Sequence, residues 1–268
     1  MRGEMGESPA EAVLRRLSAG EPVLSLGVRG ARTGDIARMA FGAGYDVLWV
    51  DLEHSCMSID AAAAIAATAE DLGMAGWVRV PEQDYGVIGR LLDGGAGGII
   101  MPKVESAEQA RLVVKAARFS PRGERSQIAL LPNLGFRRMP AVEVARRCDG
   151  GTVVQILLES AAGIANADAI AAVDGVDLLS VGLNDLSADL GCLGNPGDPR
   201  LHEACLNVAA AAARHGKLAV VGGVGDVGQF RDLLNAGMAP MLFAAIDTDV
   251  LAAGLLQRAT EWRDRFAG

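Results

Sequence analysis

Eight short apolar runs, each followed by a stretch of helical character, alternate along the chain with little between them. The runs read as strands over Val23 to Val28, Val47 to Asp51, Gly76 to Val80, Gly98 to Met101, Thr152 to Glu159, Val176 to Gly182, Lys217 to Gly222 and Ala239 to Ala244. Near-continuous apolar strands are buried on both faces, and parallel pairing needs a crossover, usually a helix, between one strand and the next. Alanine content and helical spacing supply such crossovers at Asp60 to Leu72, Ser106 to Ala117, Leu201 to His215 and Gly225 to Ala236, after a first helix around Glu11 to Leu17. Repeats of strand then helix in this number close into a (β/α)8 TIM barrel, whereas an open doubly wound sheet more often uses about six strands or fewer. A chain of 268 residues suits one such barrel, which takes about 250.

The expected organisation is a single α/β domain over 1–268, with 1–20 as an N-terminal helical extension and 245–268 as a C-terminal helix. Apolar spacing from Val250 to Phe266 suits that last helix to packing on a neighbouring subunit. A net charge of −8 argues against nucleic acid, which needs clustered Lys and Arg. The first twenty residues hold neither a secretory signal nor a membrane span, so no membrane partner is expected and the cytoplasm is the default compartment. Cys56, Cys148, Cys192 and Cys205 are scattered without a C-x-x-C pair, as reduced thiols are. The longest irregular connection, Phe119 to Pro140, is read as lying on the catalytic face after the fourth strand. There it is a candidate lid or substrate-reading element, with a plain surface excursion as the competing reading.

In a parallel barrel the C-terminal strand ends converge on one face, so acids distant in sequence can share a pocket. Asp51-Leu52-Glu53-His54 closes the second run, and Glu159 and Asp185 end two later ones. Glu159 and Asp185 offer hard oxygen ligands to Mg²⁺ or Mn²⁺ with positions left for substrate and water, although Asp185 serves equally well as a helix cap. Arg79 interrupts an apolar strand and needs an anion or carbonyl oxygen to face, from a substrate or from a structural salt bridge. His54 is the best placed acid–base candidate, flanked by Asp51 and Glu53, since His202 and His215 fall on an outer helix. One competing signal is Gly223-Val224-Gly225-Asp226-Val227-Gly228, which matches the dinucleotide fingerprint G-x-G-x-x-G with Asp247 as its acidic partner. Too few residues follow Asp247 for the second half of a dinucleotide domain, which makes an NAD-binding dehydrogenase the minority reading.

Taken in order, Asp51-Leu52-Glu53-His54, Val78-Arg79-Val80-Pro81, Leu92-Asp93-Gly94-Gly95, Met101-Pro102-Lys103-Val104, Leu158-Glu159-Ser160 and Gly182-Leu183-Asn184-Asp185-Leu186-Ser187 resemble the HpcH/HpaI aldolases, class II pyruvate aldolases related to the citrate lyase β-subunit. The resemblance implies a metal-dependent carbon–carbon lyase acting on 4-hydroxy-2-oxo acids through a pyruvate-type enolate. It implies a divalent metal (Mg²⁺, Mn²⁺ or Co²⁺) on Glu159 and Asp185, Arg79 steadying the enolate oxygen, and His54, with Asp51 beside it, in proton transfer. By the same likeness Asp93 supports a histidine across a subunit interface, and backbone N–H groups over Gly182, Leu183, Asn184 and Asp185 receive the substrate carboxylate. The implied partners are a 2-oxo acid, an aldehyde or ketone acceptor, and further copies of the chain as a trimer or hexamer.

Ser126 and Val28-Arg29-Gly30 depart from the usual pattern at positions expected on the acceptor side, which leaves open a related citrate-forming condensation on the same metal. A silent binding homologue is the non-enzymatic alternative, and the intact site side chains speak against it.

Overall fold

The computed structural model describes residues 6–267, so the first five residues of the expected N-terminal extension, and Gly268, lie outside the described residues. Eight strands form in these residues: β1 Val23–Val28, β2 Val47–Asp51, β3 Ala75–Arg79, β4 Gly98–Met101, β5 Val153–Leu158, β6 Leu178–Gly182, β7 Leu218–Gly222 and β8 Met241–Ile246. They lie in the order β7-β6-β5-β4-β3-β2-β1-β8, and every ladder is parallel. The ring is nearly closed: at the β7/β8 seam the Ala239 N–H donates to the Ala219 carbonyl at 2.7 Å. The expected barrel is therefore the fold. No helix is long and apolar enough to cross a membrane among the described residues.

Strand parity builds the interior. Side chains alternate across a strand, so Val47 and Trp49, Ala75 and Trp77, and Val153 and Leu157 point into the barrel, where they form one buried cluster. Leu48, Val50, Val78, Val154 and Ile156 face the surrounding helices and belong to a second, larger cluster. Two strand glycines make room for the tryptophans: a Cβ on Gly27 would lie 2.6 Å from the Trp49 ring, and one on Gly98 2.6 Å from that of Trp77. The first helix, Pro9–Ser18, starts at a capping box between Ser8 and Glu11 with Pro9 at its first position. Its Ala10, Val13 and Leu17 join the interior cluster beside Val23, Val47 and Met241 and so plug the N-terminal end of the barrel.

Some boundaries differ from expectation for local reasons. Strand β8 was expected at Ala239 to Ala244 but runs two residues later. Ala239 spends its N–H on β7, and Pro240 has none to donate. A register shift opposite Ser25/Leu26 then carries Ala245 and Ile246 to the barrel mouth. Strand β6 starts at Leu178 rather than Val176, because Gly175 at φ +94° and the Val176 N–H bond to Val173 form a turn.

The long connection also corrects an expectation. It leaves helix Ala107–Ala117, which has already carried the chain back to the N-terminal face. There the Asn133 amide donates to the carbonyl of Ala96, just ahead of β4. Phe119, Leu131 and Leu134 anchor the connection in a small core with Val144 and Cys148, and none of its residues lines the central cavity. It is not a lid over that cavity.

Glu70 is half-buried on the outside of the sheet, where its carboxyl accepts the Gly76 N–H at 2.8 Å and fills the space that a side chain on Gly97 would need. Burial, with a small addition from Asp71, raises its pKa from 4.5 to about 8 against the opposing effect of that N–H. The folded state then holds a proton that the unfolded chain releases near 4.5. Stability from this group is therefore complete below the unfolded value and is lost as pH rises through the folded one. Glu70→Gln keeps the acceptor oxygen and has no proton to lose. Its melting temperature is expected to fall less than that of the parent between about pH 5 and about pH 8, as followed by circular dichroism.

Candidate active site

At the C-terminal mouth the parity that buries the tryptophans continues into charge. Asp51 and Arg79 are the last residues of β2 and β3, paired in register, and their side chains follow Trp49 and Trp77 on the inward face. Arg79 donates from Nε to Asp51 Oδ1 at 2.9 Å and from Nη2 to Oδ2 at 2.6 Å, a two-pronged pair with both partners buried. Its Nη1 lies 3.0 Å from Glu53 Oε2, and the guanidinium sits 5.3 Å from the Trp49 ring centroid. Burial opposes ionisation of Asp51, but its bonds from Arg79 and Arg29 outweigh that and hold its pKa below the usual range. For Arg79 burial likewise acts against the charge, and Asp51, Glu53 and Glu159 together raise its pKa above the ordinary value.

The aspartate at the end of β2 holds more than its guanidinium. Asp51 Oδ1 accepts the backbone N–H of Glu53 at 3.1 Å and of His54 at 3.2 Å, which folds the Asp-Leu-Glu-His turn over the strand end. It therefore touches the His54 backbone and not the ring. The imidazole is about half exposed, with Nε2 3.8 Å from Glu53 Oε2. That glutamate oxygen is buried, and its approach to Arg79 lacks hydrogen-bond alignment, so it has no donor.

Glu159 follows β5 and Asp185 lies in the first turn of helix Leu183–Asp189, which begins at the end of β6 with no side chain capping it. Asp185 makes no cap hydrogen bond, which removes the simple capping reading. Glu159 Oε1 accepts the N–H of Lys103 at 3.1 Å, a donor made available because Lys103 takes a left-handed φ of +51°. A Cβ on Gly182 would press on Glu159 Oε2 at 2.8 Å, so the glycine leaves that oxygen room. Burial first, then Glu53 and Asp185, raise the Glu159 pKa to about 7.

Arg29, His54, Arg79, Glu159, Gly182, Leu183, Asn184 and Asp185 all line one cavity of about 380 Å³, whose deeper wall includes Trp49, Gln155 and Ser180. Buried polar atoms without partners, Trp49 Nε1 and Gln155 Oε1, face inward at that depth. Lys103 and Gln155 were not among the expected site residues, whereas Arg29 falls in the Val28-Arg29-Gly30 segment expected on the acceptor side and lines the cavity. The signal for Gln155 was there: a Gln at an inward parity in an apolar strand. Asp93 is apart from this group: it ends helix Ile88–Asp93 and pairs with Arg125 at 2.8 Å on a separate outer groove. His202 and His215 lie away from the cavity, as expected, with His215 beside Asp168. The dinucleotide reading fails locally, because Asp247 is committed to backbone N–H groups of the turn after β1 and Asp226 caps the helix that follows β7.

No cluster of three or more His, Cys, Asp or Glu side chains suited to a metal occurs among the described residues. Two carboxylates with open positions nevertheless fit Mg²⁺ or Mn²⁺, hard ions that keep water and substrate oxygens in most of their coordination sites. The room that Gly182 leaves beside Glu159 Oε2, and the burial and neighbouring charges of Glu53 and Asp185 that raise this acid, fit such a cation too.

A parallel barrel with carboxylates and a fixed guanidinium at its C-terminal mouth has the layout of a barrel enzyme, whose active site sits on that face. Residues 29–239 match the model of HpcH/HpaI aldolase/citrate lyase. A relative from Hapsidospora irregularis named 4-hydroxy-4-methyl-2-oxoglutarate aldolase is 38% identical, covering 91% of this chain and 92% of its own. A 4-hydroxy-2-oxovalerate aldolase of Novosphingobium aromaticivorans is 34% identical, with 87% of each chain covered. The crystal structure of an HpcH/HpaI aldolase from Desulfitobacterium hafniense superposes with a TM-score of 0.84 at 28% identity, covering 93% of this chain and 95% of that one. The chain belongs to the HpcH/HpaI aldolase/citrate lyase family, the metal-dependent class II aldolase group, and is a carbon–carbon lyase.

Breaking a buried ion pair from one side leaves the other charge uncompensated, which costs about 3–5 kcal/mol. Asp51→Asn is expected to lose stability on that scale, because Arg79, Arg29 and two backbone N–H groups share its carboxylate. The urea midpoint checks it, and an effect under about 1 kcal/mol would show that the pair is not the anchor described here.

Proposed function

We propose that the chain makes and breaks 4-hydroxy-2-oxo acids, with Glu159 and Asp185 holding Mg²⁺, Mn²⁺ or Co²⁺ and pyruvate as the three-carbon partner. The observation that carries this is that two carboxylates from neighbouring strand ends, Glu159 and Asp185, line one cavity together with the fixed guanidinium of Arg79. A divalent cation would offset their charge. When bound it draws electron density from the 2-oxo group and so favours an enolate over its neutral precursor.

The protein's own groups account for the rest. In the cleavage direction His54 takes the proton of the 4-hydroxyl, the C3–C4 bond breaks, and its electron pair passes to C3 as the carbonyl product leaves. His54 then returns the proton to C3, giving pyruvate. Synthesis is the reverse. Arg79, held by Asp51 and Glu53, faces the enolate oxygen with little reorganisation left to make. The first-turn N–H groups over Leu183, Asn184 and Asp185 lack helix partners and face the substrate carboxylate. Asp51 acts as a positioning residue. Asp93, on an outer groove of its own chain, would meet a histidine only across a contact between copies.

Such contacts are supported by the last helix, Asp247–Ala267, along which Val250, Leu251, Leu255, Leu256, Trp262 and Phe266 are all at least half exposed. An apolar stripe of this kind marks an interaction surface. We propose that it packs on a neighbouring copy in a trimer or hexamer while 1–268 folds as one domain. The double variant Leu251→Glu/Leu255→Glu is expected to elute as a smaller species than the parent in size-exclusion chromatography with light scattering; unchanged mass would remove this helix from the interface.

Metal binding has a readout independent of turnover. Mn²⁺ at about 100 times its dissociation constant should stabilise the folded chain by about 2.7 kcal/mol, seen as a raised melting temperature. Glu159→Gln and Asp185→Asn should abolish that rise. A rise that survives in both variants would place the cation elsewhere.

A further inference from the structure

The turn after β1 is fixed from both sides. On one side the Asp247 carboxylate accepts from the N–H of Arg29 at 2.8 Å, of Gly30 at 3.1 and 3.0 Å, and of Ala31 at 2.7 Å, and it also takes the Thr248 N–H at 2.8 Å. On the other, Arg32 Nη1 donates to the carbonyls of Arg29 at 2.7 Å, Gly30 at 2.8 Å and Ala31 at 3.0 Å. Even a methyl group on Gly30 would meet Thr248 at 3.0 Å. Every backbone polar group of these three residues is thus engaged, and the Arg29 side chain leaves a rigid base.

That side chain points inward at the same parity as Ser25 and Gly27 and reaches Asp51 Oδ2 through Nε at 2.6 Å. Bracing Asp51 needs no more than this one bond, since Arg79 already grips both carboxylate oxygens. Among the described residues no protein group accepts from Arg29 Nη1 or Nη2, and the guanidinium lines the central cavity with its side chain about 30% exposed. Two other acids stand near this rim. Asp247 is spent on the turn, and Asp249 bonds Thr248 Oγ1 at 3.5 Å and forms no ion pair with Arg29.

The two ends of the site are set by the barrel itself. Glu159 and Asp185 follow β5 and β6, whereas Arg29 follows β1, which lies four strands from β5 in a ring of eight. A three-carbon donor held by the acid pair would leave the β1/β8 side of the same cavity for its reaction partner. There Phe243, Ala245 and Ile246 of β8 line the cavity that Arg29 also lines. Two parallel N–H donors on a planar fork match a carboxylate.

We propose that Arg29 binds a carboxylate of the acceptor, so that the preferred electrophile is a short carbonyl compound carrying its own carboxylate, either a second 2-oxo acid or an aldehyde acid. The proposal rests on the aldolase reading of the site given above. It makes Arg29 a specificity-determining residue that touches substrate directly, in addition to bracing Asp51.

The experiment compares acceptors that differ only in the carboxylate, with pyruvate as donor and Mn²⁺ present: glyoxylate against acetaldehyde, and succinic semialdehyde against butanal. In the parent the acid of each pair should have the higher kcat/KM, by about tenfold or more. Arg29→Met should lower that ratio by about tenfold to a hundredfold, and Arg29→Lys, which keeps charge without the fork, by less. The lysine variant also serves if the methionine variant does not fold. Both members of a pair falling by one common factor would mean that Arg29 only braces Asp51, and would overturn the proposal. So would a parent that prefers the uncharged acceptors. Exchange of the pyruvate methyl protons with D₂O by the parent needs no acceptor: its absence sinks the aldolase reading, whereas exchange with an unmoved ratio sinks the role of Arg29 alone. The ratio with pyruvate itself as acceptor then separates the 2-oxo acid from the aldehyde acid.

Discussion

A guanidinium inside an apolar barrel must be paired, and the pairing of Arg79 with Asp51 sets the geometry of everything around it. Desolvating two charges is costly, so the arrangement persists only because the remaining hydrogen-bond positions of the carboxylate are also filled. Asp51 meets that condition with Arg29 and the backbone of Glu53 and His54. The price of burying this pair is what fixes three otherwise mobile parts: the arginine on β3, the turn bearing the histidine, and the side chain that leaves β1. Neutral residues of the same size would pack well enough for stability, and would leave the mouth of the barrel without a fixed positive charge.

Much of this was legible from one strand rule. Alternation along β2 puts Val47, Trp49 and Asp51 on one face, and along β3 Ala75, Trp77 and Arg79, so an apolar run with a charged end specifies both a packed interior and the first ring of the site. Gly27 and Gly98, which look like weak strand residues, become intelligible once each is seen as the space taken by a neighbouring tryptophan. The boundaries least legible were those set by single backbone donors. Pro240 has no N–H, and that moved β8 by two residues and brought Ala245 and Ile246 into the cavity.

Relations across the whole chain were not legible. Asp247 was attractive as the acidic partner of a glycine-rich loop because a motif is read along the sequence. Its carboxylate instead crosses 218 positions to the backbone N–H of Arg29. The connection from Phe119 to Pro140 lies on the N-terminal face because helix Ala107–Ala117 has already crossed back over the barrel, a reversal that its position after the fourth strand does not reveal. Asp93 pairs with Arg125 within the chain, so the role toward a histidine that the resemblance implies would need a contact between copies, which a reading along one sequence does not contain.

The site is electrically divided, and the division bears on selectivity. On the β5/β6 side burial, then the charges of Glu53 and Asp185, bring Glu159 to about 7, and two carboxylates at that end suit a cation. On the β1 side Arg29 offers donors without acceptors, so that end calls for an anion. On the proposed reading, the carbon nucleophile would form between the two. An electrophile without charge gains only the apolar lining on its approach, and one extra apolar contact is worth about 1–3 kcal/mol at most. A carboxylate at the far end of the electrophile gains a paired guanidinium as well, and that bond also sets which way the carbonyl faces the enolate. Reactivity and orientation would then be set by opposite walls of one barrel, the first by the metal-seeking acids and the second by an arginine whose backbone is clamped by the start of the last helix.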